Sequence, residues 1–276
     1  GLNVPRFTRH SRDEDARRAA RQATYPCVLK PLALSAGRGV IRADDEASFV
    51  AAFQRIDAIL ASPDAAQPGD AGDYILVEDY IPGAEISLEG LLEGGRLRTL
   101  ALFDKPDPLE GPYFEETIYV TPSRLSDQMQ RAIARATETA LHALGLRDGP
   151  VHAELRINDR GPWVIEIAAR SIGGMCARSL SFGAGVALEE LILRHALGLP
   201  LGAADREENA AGVMMIPIPI SGAISGPGPG VLDGVDGIEE ARATPGIEDV
   251  TIAIPLGQDV VPLPEGFRYL GFIFAK

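Results

Sequence analysis

The sequence is short of basic charge, of cysteine and of long apolar runs, and each shortage excludes something. Lysine and arginine number 26 against 39 aspartates and glutamates, a formal net charge of −13. Non-specific nucleic-acid binding needs a basic surface, so nucleic acid is not an expected partner. An acidic chain can still bind phosphate, because a few cations placed locally set the field there. Cys27 and Cys176 stand far apart and lack metal-ligand spacing. That argues against a zinc or disulfide scaffold and for a reduced, cytoplasmic protein. No apolar run reaches the length of a bilayer, and residues 9–22 are charged and Ala-rich rather than a secretory core. No membrane partner is expected.

The chain of 276 residues, 46% hydrophobic and 24% charged, has an ordinary globular composition and length for more than one subdomain. It opens on Gly1, and residues 268–276 read as a buried strand without a tail, which is expected of part of a longer chain. A helix is expected over 11–23, capped by Ser11, and another from Asp44 or Asp45 to about Leu60 with Phe49, Phe53, Ile56 and Leu60 on one face. Strands are expected over 25–30 and 74–102, with a hairpin turn at Glu93-Gly-Gly95. The longest helix should run from Ser123 to Gly145 and a later one from Ala187 to Leu197. Helices alternating with hairpin-linked strands point to an α+β fold. A separate β-rich subdomain is expected from about Gly212. Its tail, with Phe267, Tyr269, Phe272 and Phe274, caps a cleft or forms a homodimer face; the sequence leaves both open.

The most specific constellation is a hairpin at 151–170. Strand side chains alternate faces, so His152, Glu154 and Arg156 share one, with Glu166, Arg170 and Val164 sharing a face of the return strand. Folding about residue 160 sets Glu154 opposite Glu166. Opposed like charges are destabilising, and a divalent cation with oxygen ligands, Mg²⁺ above all, offsets them. Arg170 can meet the phosphates such an ion carries. Alone, this face would pass for a solvated hairpin; Trp163 and an apolar opposite face make it resemble a cleft floor.

Two further segments join it. Lys30 ends an apolar strand, and Ser35, Gly37, Arg38 and Gly39 form a loop whose glycines let backbone N–H groups approach phosphate oxygens. The loop is not a P-loop, since the Gly-x-x-x-x-Gly-Lys-Ser/Thr pattern is absent. In Val77-Glu78-Asp79-Tyr80-Ile81-Pro82-Gly83-Ala84-Glu85, extended backbone can face a purine edge and Glu85 can accept from ribose hydroxyls.

The order strand-lysine, glycine loop, Glu78 to Glu85 hinge, then Glu154, Glu166 and Arg170, resembles the ATP-grasp superfamily over about residues 1–200. Within it the chain is similar to carboxylate–amine ligases, L-amino acid ligases among them. The resemblance implies an ATP-grasp fold of two α+β subdomains gripping ATP. The expected divisions are a helical lead-in at 1–24, a nucleotide lid at 25–84, a Mg²⁺ and substrate subdomain at 85–211, and the β-rich part at 212–276. It implies that Lys30 and the loop 35–39 hold phosphates, and that Glu78, Tyr80 and Ile81 frame adenine. Glu85 would hold ribose, Glu154 and Glu166 the magnesium, and Arg170 the transferred phosphoryl group. Two ions per ATP are the family pattern, with Mn²⁺ a possible substitute. The family's Asn two residues after the second metal Glu is Ala168 here, so one ligand or its water comes from elsewhere. The family's first nucleotide lysine, which would precede Gly1-Leu-Asn-Val-Pro5, is absent, so this part alone is expected to be a poor catalyst.

The implied chemistry is transfer of the ATP γ-phosphoryl group to a carboxylate, followed by attack of an amine. Lys105 is a candidate for the substrate carboxylate and Glu115 or Glu116 for the amine. The glycines of Ser171-Ile-Gly-Gly174 suit an oxyanion, with Arg178 one helical turn beyond. The alternatives are a biotin-carboxylase-like enzyme that activates bicarbonate, and a non-catalytic ATP-binding module.

Overall fold

Apolar periodicity and end-capping account for most elements of the computed structural model, which describes residues 1–276 except 67–68, 184, 203, 208 and 219–229. The first elements are β1 (Phe7–Ser11), α1 (Ala16–Ala20), β2 (Cys27–Pro31), β3 (Ile41–Ala43), α2 (Glu46–Leu60) and β4 (Tyr74–Asp79). There follow β5 (Ala84–Glu93), β6 (Arg96–Asp104), β7 (Ile118–Thr121), α3 (Asp127–Ala143), β8 (Gly149–Asn158) and β9 (Gly161–Ala168). Last come α4 (Leu188–Ala196), β10 (Ala211–Ile216), β11 (Gly230–Val231), α5 (Ile238–Arg242), β12 (Ile247–Ile252), β13 (Asp259–Val260) and β14 (Gly271–Ala275).

The small sheet has the order β1-β4-β2-β3. Helix α2 covers it because Phe49, Phe53 and Ile56 recur at helical spacing and are buried against Leu29, Ile41, Ile75 and Val77. Burial of each such side chain contributes roughly 2 kcal/mol. The helix starts at Asp45, whose carboxylate accepts from the Ser48 N–H while the Ser48 hydroxyl bonds back to the Asp45 N–H, a reciprocal cap. The expected helix over 11–23 is shorter. Asp15, not Ser11, caps it, and residues 7–11 pair antiparallel with β4 instead. The lead-in is therefore a strand of the small sheet as well as a helix.

The large sheet has the order β12-β14-β10-β7-β6-β5-β8-β9, with antiparallel pairings. Strand β5 is buried continuously from Ile86 to Leu92, so both of its faces are covered. One face packs on α3 through Ile86, Leu88, Ile133 and Leu155. The Gly94-Gly95 turn after β5 has positive φ at both positions, which glycine tolerates. The β-rich segment expected as a separate subdomain from Gly212 is continuous with this sheet: β10, β14 and β12 extend it past β7. Its stretch 219–229 lies outside the described residues. Among the described residues no helix is long and apolar enough to cross a membrane.

The two sheets meet at the β4–β5 hinge, where Gly83 has φ +127° and a Cβ built on it would lie 2.1 Å from the Ile157 carbonyl oxygen. Backbone strain and overlap both oppose any side chain there. Gly83→Ala is expected to destabilise the protein by on the order of 3 kcal/mol, read as a lower urea midpoint at unchanged slope. A loss under about 0.5 kcal/mol would show that the hinge is not packed this closely.

Candidate active site

A cavity of about 570 Å³ opens between the two sheets. Its floor comes from the alternation of β5 and β8. Glu85, Ser87 and Glu89 stand on one face of β5, opposite Arg156, Glu154 and His152 of β8 in that order. Two of the three rungs pair opposite charges: Arg156 Nε lies 2.9 Å from Glu85 Oε2, and His152 Nδ1 bonds Glu89 Oε1. The Ser87 hydroxyl is buried without a hydrogen-bond partner.

On the other side of β8, Glu154 pairs with Glu166 of β9, as folding about residue 160 requires. The turn closes tighter, at Asn158 and Gly161, and a bulge between Glu154 and Leu155 restores the offset. The bulge has a consequence that the alternation rule misses. Val164, expected beside Glu166, instead joins the core with Ala153 and Leu155, and Ile165 turns to the cavity with Glu166.

Lys105, just past β6, enters this floor from the side. Its Nζ lies 2.8 Å from Glu85, 2.6 Å from Glu116 and 3.1 Å from Glu154, and its side chain is 2% exposed. These three acids are close enough to form a metal cluster, but the Lys105 ammonium already fills it. Burial disfavours that ammonium, yet Glu154, Glu116 and Glu85 outweigh burial and hold it protonated well above the ordinary lysine range. Lys105 is thus a fixed internal cation, and the expected role in binding a substrate carboxylate is corrected: its three donors are taken. Glu85 lines the cavity while its two oxygens pair with Lys105 and Arg156.

The remaining carboxylates divide by environment. Burial would raise Glu154, but Lys105 and then His152 hold it well below the usual range. Burial pushes Glu116 from 4.5 up to about 7, with Lys105 pulling the other way and Glu154 reinforcing the rise. Burial and then Glu154 raise Glu166, with Lys30 and Arg170 opposing. His152 is disfavoured as a cation by burial, but its bonds to Glu154 and Glu89 raise it to about 9. The bonds from Lys105 and His152 both end on Oε1 of Glu154.

The small sheet supplies the roof. Lys30 of β2 forms a 2.7 Å ion pair with Glu78 of β4, and both line the cavity with Tyr80 and Ile81. Ser35 and Gly37 also line it, as does Arg170. Arg38 lines it too, but its guanidinium is engaged elsewhere, and Gly39 does not border it. The Arg38 guanidinium pairs with Asp64 at 2.7 Å and lies over the Phe267 ring at 5.3 Å, because the loop turns it toward α2. The Gly39 N–H donates to the Pro264 carbonyl at 2.9 Å. Arg178 is also corrected: it projects to β12, 2.8 Å from Asp249 and 4.1 Å from the Phe274 ring, away from the cavity.

Residues 171–174 line the cavity, as do Tyr119, Met215 and Tyr269. Sequence reasoning missed Glu89, although Glu85-x-Ser87-x-Glu89 alternates on a strand and was open to the same argument as His152 and Glu154. Met215 carried no local signal, and the β7-β10-β14 pairing brings it in; Tyr269 belongs to the tail for which capping a cleft was one of two expectations.

Residues 23–179 match the ATP-grasp domain, and residues 223–276 match the L-amino acid ligase C-terminal domain 2. Alanine–anticapsin ligase of Bacillus subtilis (strain 168) is 30% identical over 195 residues, covering 65% of this chain and 40% of the relative. Carnosine synthase 1 of Gallus gallus is 32% identical over 185 residues, covering 64% of this chain and 19% of the relative. The crystal structure of L-amino acid ligase from Bacillus licheniformis matches with a TM-score of 0.76 and 28% identity, over 100% of this chain and 64% of that one. The chain thus spans less than half the length of these two curated relatives.

The Glu116 shift gives a pH prediction. The folded state holds this proton more tightly than the unfolded chain, so its contribution is complete below about pH 4.5 and is lost as pH rises through about 7. Without added metal, the stability of the protein relative to its Glu116→Gln variant should fall by about 2 kcal/mol between pH 5 and 7.5, after discounting for partial exposure. Urea melts of both proteins at the two pH values check it; a constant difference would refute the shift.

Proposed function

We propose that this chain, which belongs to the ATP-grasp family, is the ATP-binding part of an ADP-forming carboxylate–amine ligase that works through an acyl phosphate. The observation that carries the reading is the opposition of Glu154 and Glu166 on paired strands, with Lys30 and Arg170 at the same cavity. The match of the C-terminal segment to an L-amino acid ligase domain favours an amino acid or small carboxylic acid over bicarbonate as substrate.

The pair fits a hard divalent ion. Both ligands are carboxylates, and burial and mutual repulsion raise Glu166, which a cation would reverse. Glu154 and Glu166 would hold Mg²⁺, or Mn²⁺ in its place, which neutralises phosphate oxygens when bound. In the first step a carboxylate oxygen of the substrate attacks the γ-phosphorus, and the bond to the β-phosphate oxygen breaks to release ADP. Lys30 and Arg170 stabilise the charge on the transferring group. In the second step the amine lone pair attacks the acyl carbon, the bond to the phosphate oxygen breaks, and the proton shed by the nitrogen leaves with the phosphate. Glu116, which lines the cavity where Glu115 does not, accepts hydrogen bonds from the amine. Tyr80 and Ile81 of the hinge border the adenine end.

Calorimetry of ATP binding with and without Mg²⁺ tests the metal pair. Glu166→Ala is expected to remove most of the Mg²⁺-dependent gain in affinity, a loss of about tenfold or more, while metal-free binding changes little. Unchanged Mg²⁺ dependence would rule out the metal role. The full-length protein given amino-acid pairs should release ADP and phosphate; release of AMP and pyrophosphate would exclude the acyl phosphate.

A further inference from the structure

One buried carboxylate has no place in the chemistry described above. Glu89 is 1% exposed and does not border the cavity. A carboxylate is kept in such a place only where its lone pairs are bonded. Both oxygens are used, and they reach two parts of the site. Oε2 accepts from the Ile172 N–H at 2.9 Å, inside the glycine-bearing segment 171–174 that lines the cavity. Oε1 bonds His152 Nδ1, and His152 Nε2 lies 3.3 Å from Glu154 Oε1. The orientation is set by the backbone: the β5–β6 pairing slips by one residue between Glu89 and Gly90. At Gly90 a Cβ would lie 2.7 Å from Leu97 and 2.9 Å from the Arg98 carbonyl oxygen, so the bulge needs glycine there.

We propose that Glu89 is a positioning residue: through its two oxygens it fixes the segment 171–174 and, by way of His152, the carboxylate of Glu154 in one frame. The proposal rests on the metal reading of Glu154. It adds that the metal side and the substrate side of the cavity are held at a set separation by one buried side chain. Groups of this kind behind metal ligands typically change metal affinity or activity about 10–100-fold when altered.

Two variants separate geometry from charge. Glu89→Gln keeps the length: its oxygen accepts from the Ile172 N–H and its amide donates to Nδ1 of a His152 that is then neutral and still donates from Nε2 to Glu154. Glu89→Asp keeps the charge but is one methylene too short to span both partners. Positioning predicts that E89Q retains Mg²⁺-dependent ATP affinity within about threefold of the parent, whereas E89D loses about tenfold, with metal-free ATP affinity unchanged in both. The full-length E89D should lose amino-acid-dependent phosphate release through kcat more than through KM for ATP. The reverse order, with E89Q impaired and E89D intact, would assign the effect to charge and overturn the proposal. Parental affinity in both would also overturn it. If neither variant folds, His152→Asn decides. Its amide replaces Nδ1 toward Glu89 but leaves nothing in place of Nε2, so it should reproduce the tenfold loss, and parental affinity there overturns the proposal. If the parent itself shows no Mg²⁺ dependence, the metal reading has failed and the proposal falls with it. If the parent shows Mg²⁺ dependence but no phosphate release, only the ligase reading has failed, and the affinity comparison still decides on Glu89.

Discussion

The site depends on one buried ammonium. Lys105 Nζ lies within 3.1 Å of three carboxylates, on β5, on β8 and on the segment before β7. The attraction between close charges grows as water is excluded, and so does the penalty for leaving any one unpaired. Lys105 therefore acts as a clamp. Three acids that would repel are drawn to a point, and the segment that carries Glu116 is held against the sheet. Removing the ammonium would leave three partly buried carboxylates in contact, a far larger disturbance than the loss of a surface pair.

The clamp also sets the balance of charge around the cavity. Six carboxylates converge here, at Glu78, Glu85, Glu89, Glu116, Glu154 and Glu166, against Lys30, Lys105, Arg156, Arg170 and a charged His152. The pairing is nearly complete on one side: Lys30 takes Glu78, Arg156 takes Glu85, and His152 takes Glu89. What is left over lies at the β8–β9 rung, where Glu166 faces Glu154 with Lys30 and Arg170 only nearby. That remaining negative charge is what the proposed divalent cation would complement. Ala168 stands opposite His152 in the same ladder, so β9 adds no polar side chain at that position.

How much of this could be read from the residues depends on the range of the interaction. The Glu154 and Glu166 opposition follows from a two-residue period and one turn, both local, and it was legible. So were the Asp45 cap and the apolar face of α2. The destination of Val164 was not, because a bulge reverses alternation without a marker in composition. Nor were the roles of Lys105, Arg38 and Arg178. Each is a long side chain whose charge could go several ways, and the outcome is set by acids brought near only by the fold: Glu116 and Glu154, Asp64, and Asp249. Sequence spacing locates cations well and their partners poorly.

The same lesson explains the C-terminal segment, which was expected as a separate β-rich subdomain capping a cleft or forming a dimer face. Because β10 inserts between β7 and β14, Met215 and Tyr269 reach the cavity wall. Residues 262–267 meanwhile meet the glycine loop from outside: Pro264 accepts from Gly39, Phe267 lies under Arg38, and Glu265 pairs with Arg55 of α2. The Gly39 bond ties the loop to this segment at a net worth of only about 1 kcal/mol, so the ion pair and ring contact beside it add to the hold. The segment thus holds the loop and α2 from outside, and it can do so because β10, β12 and β14 are strands of the large sheet.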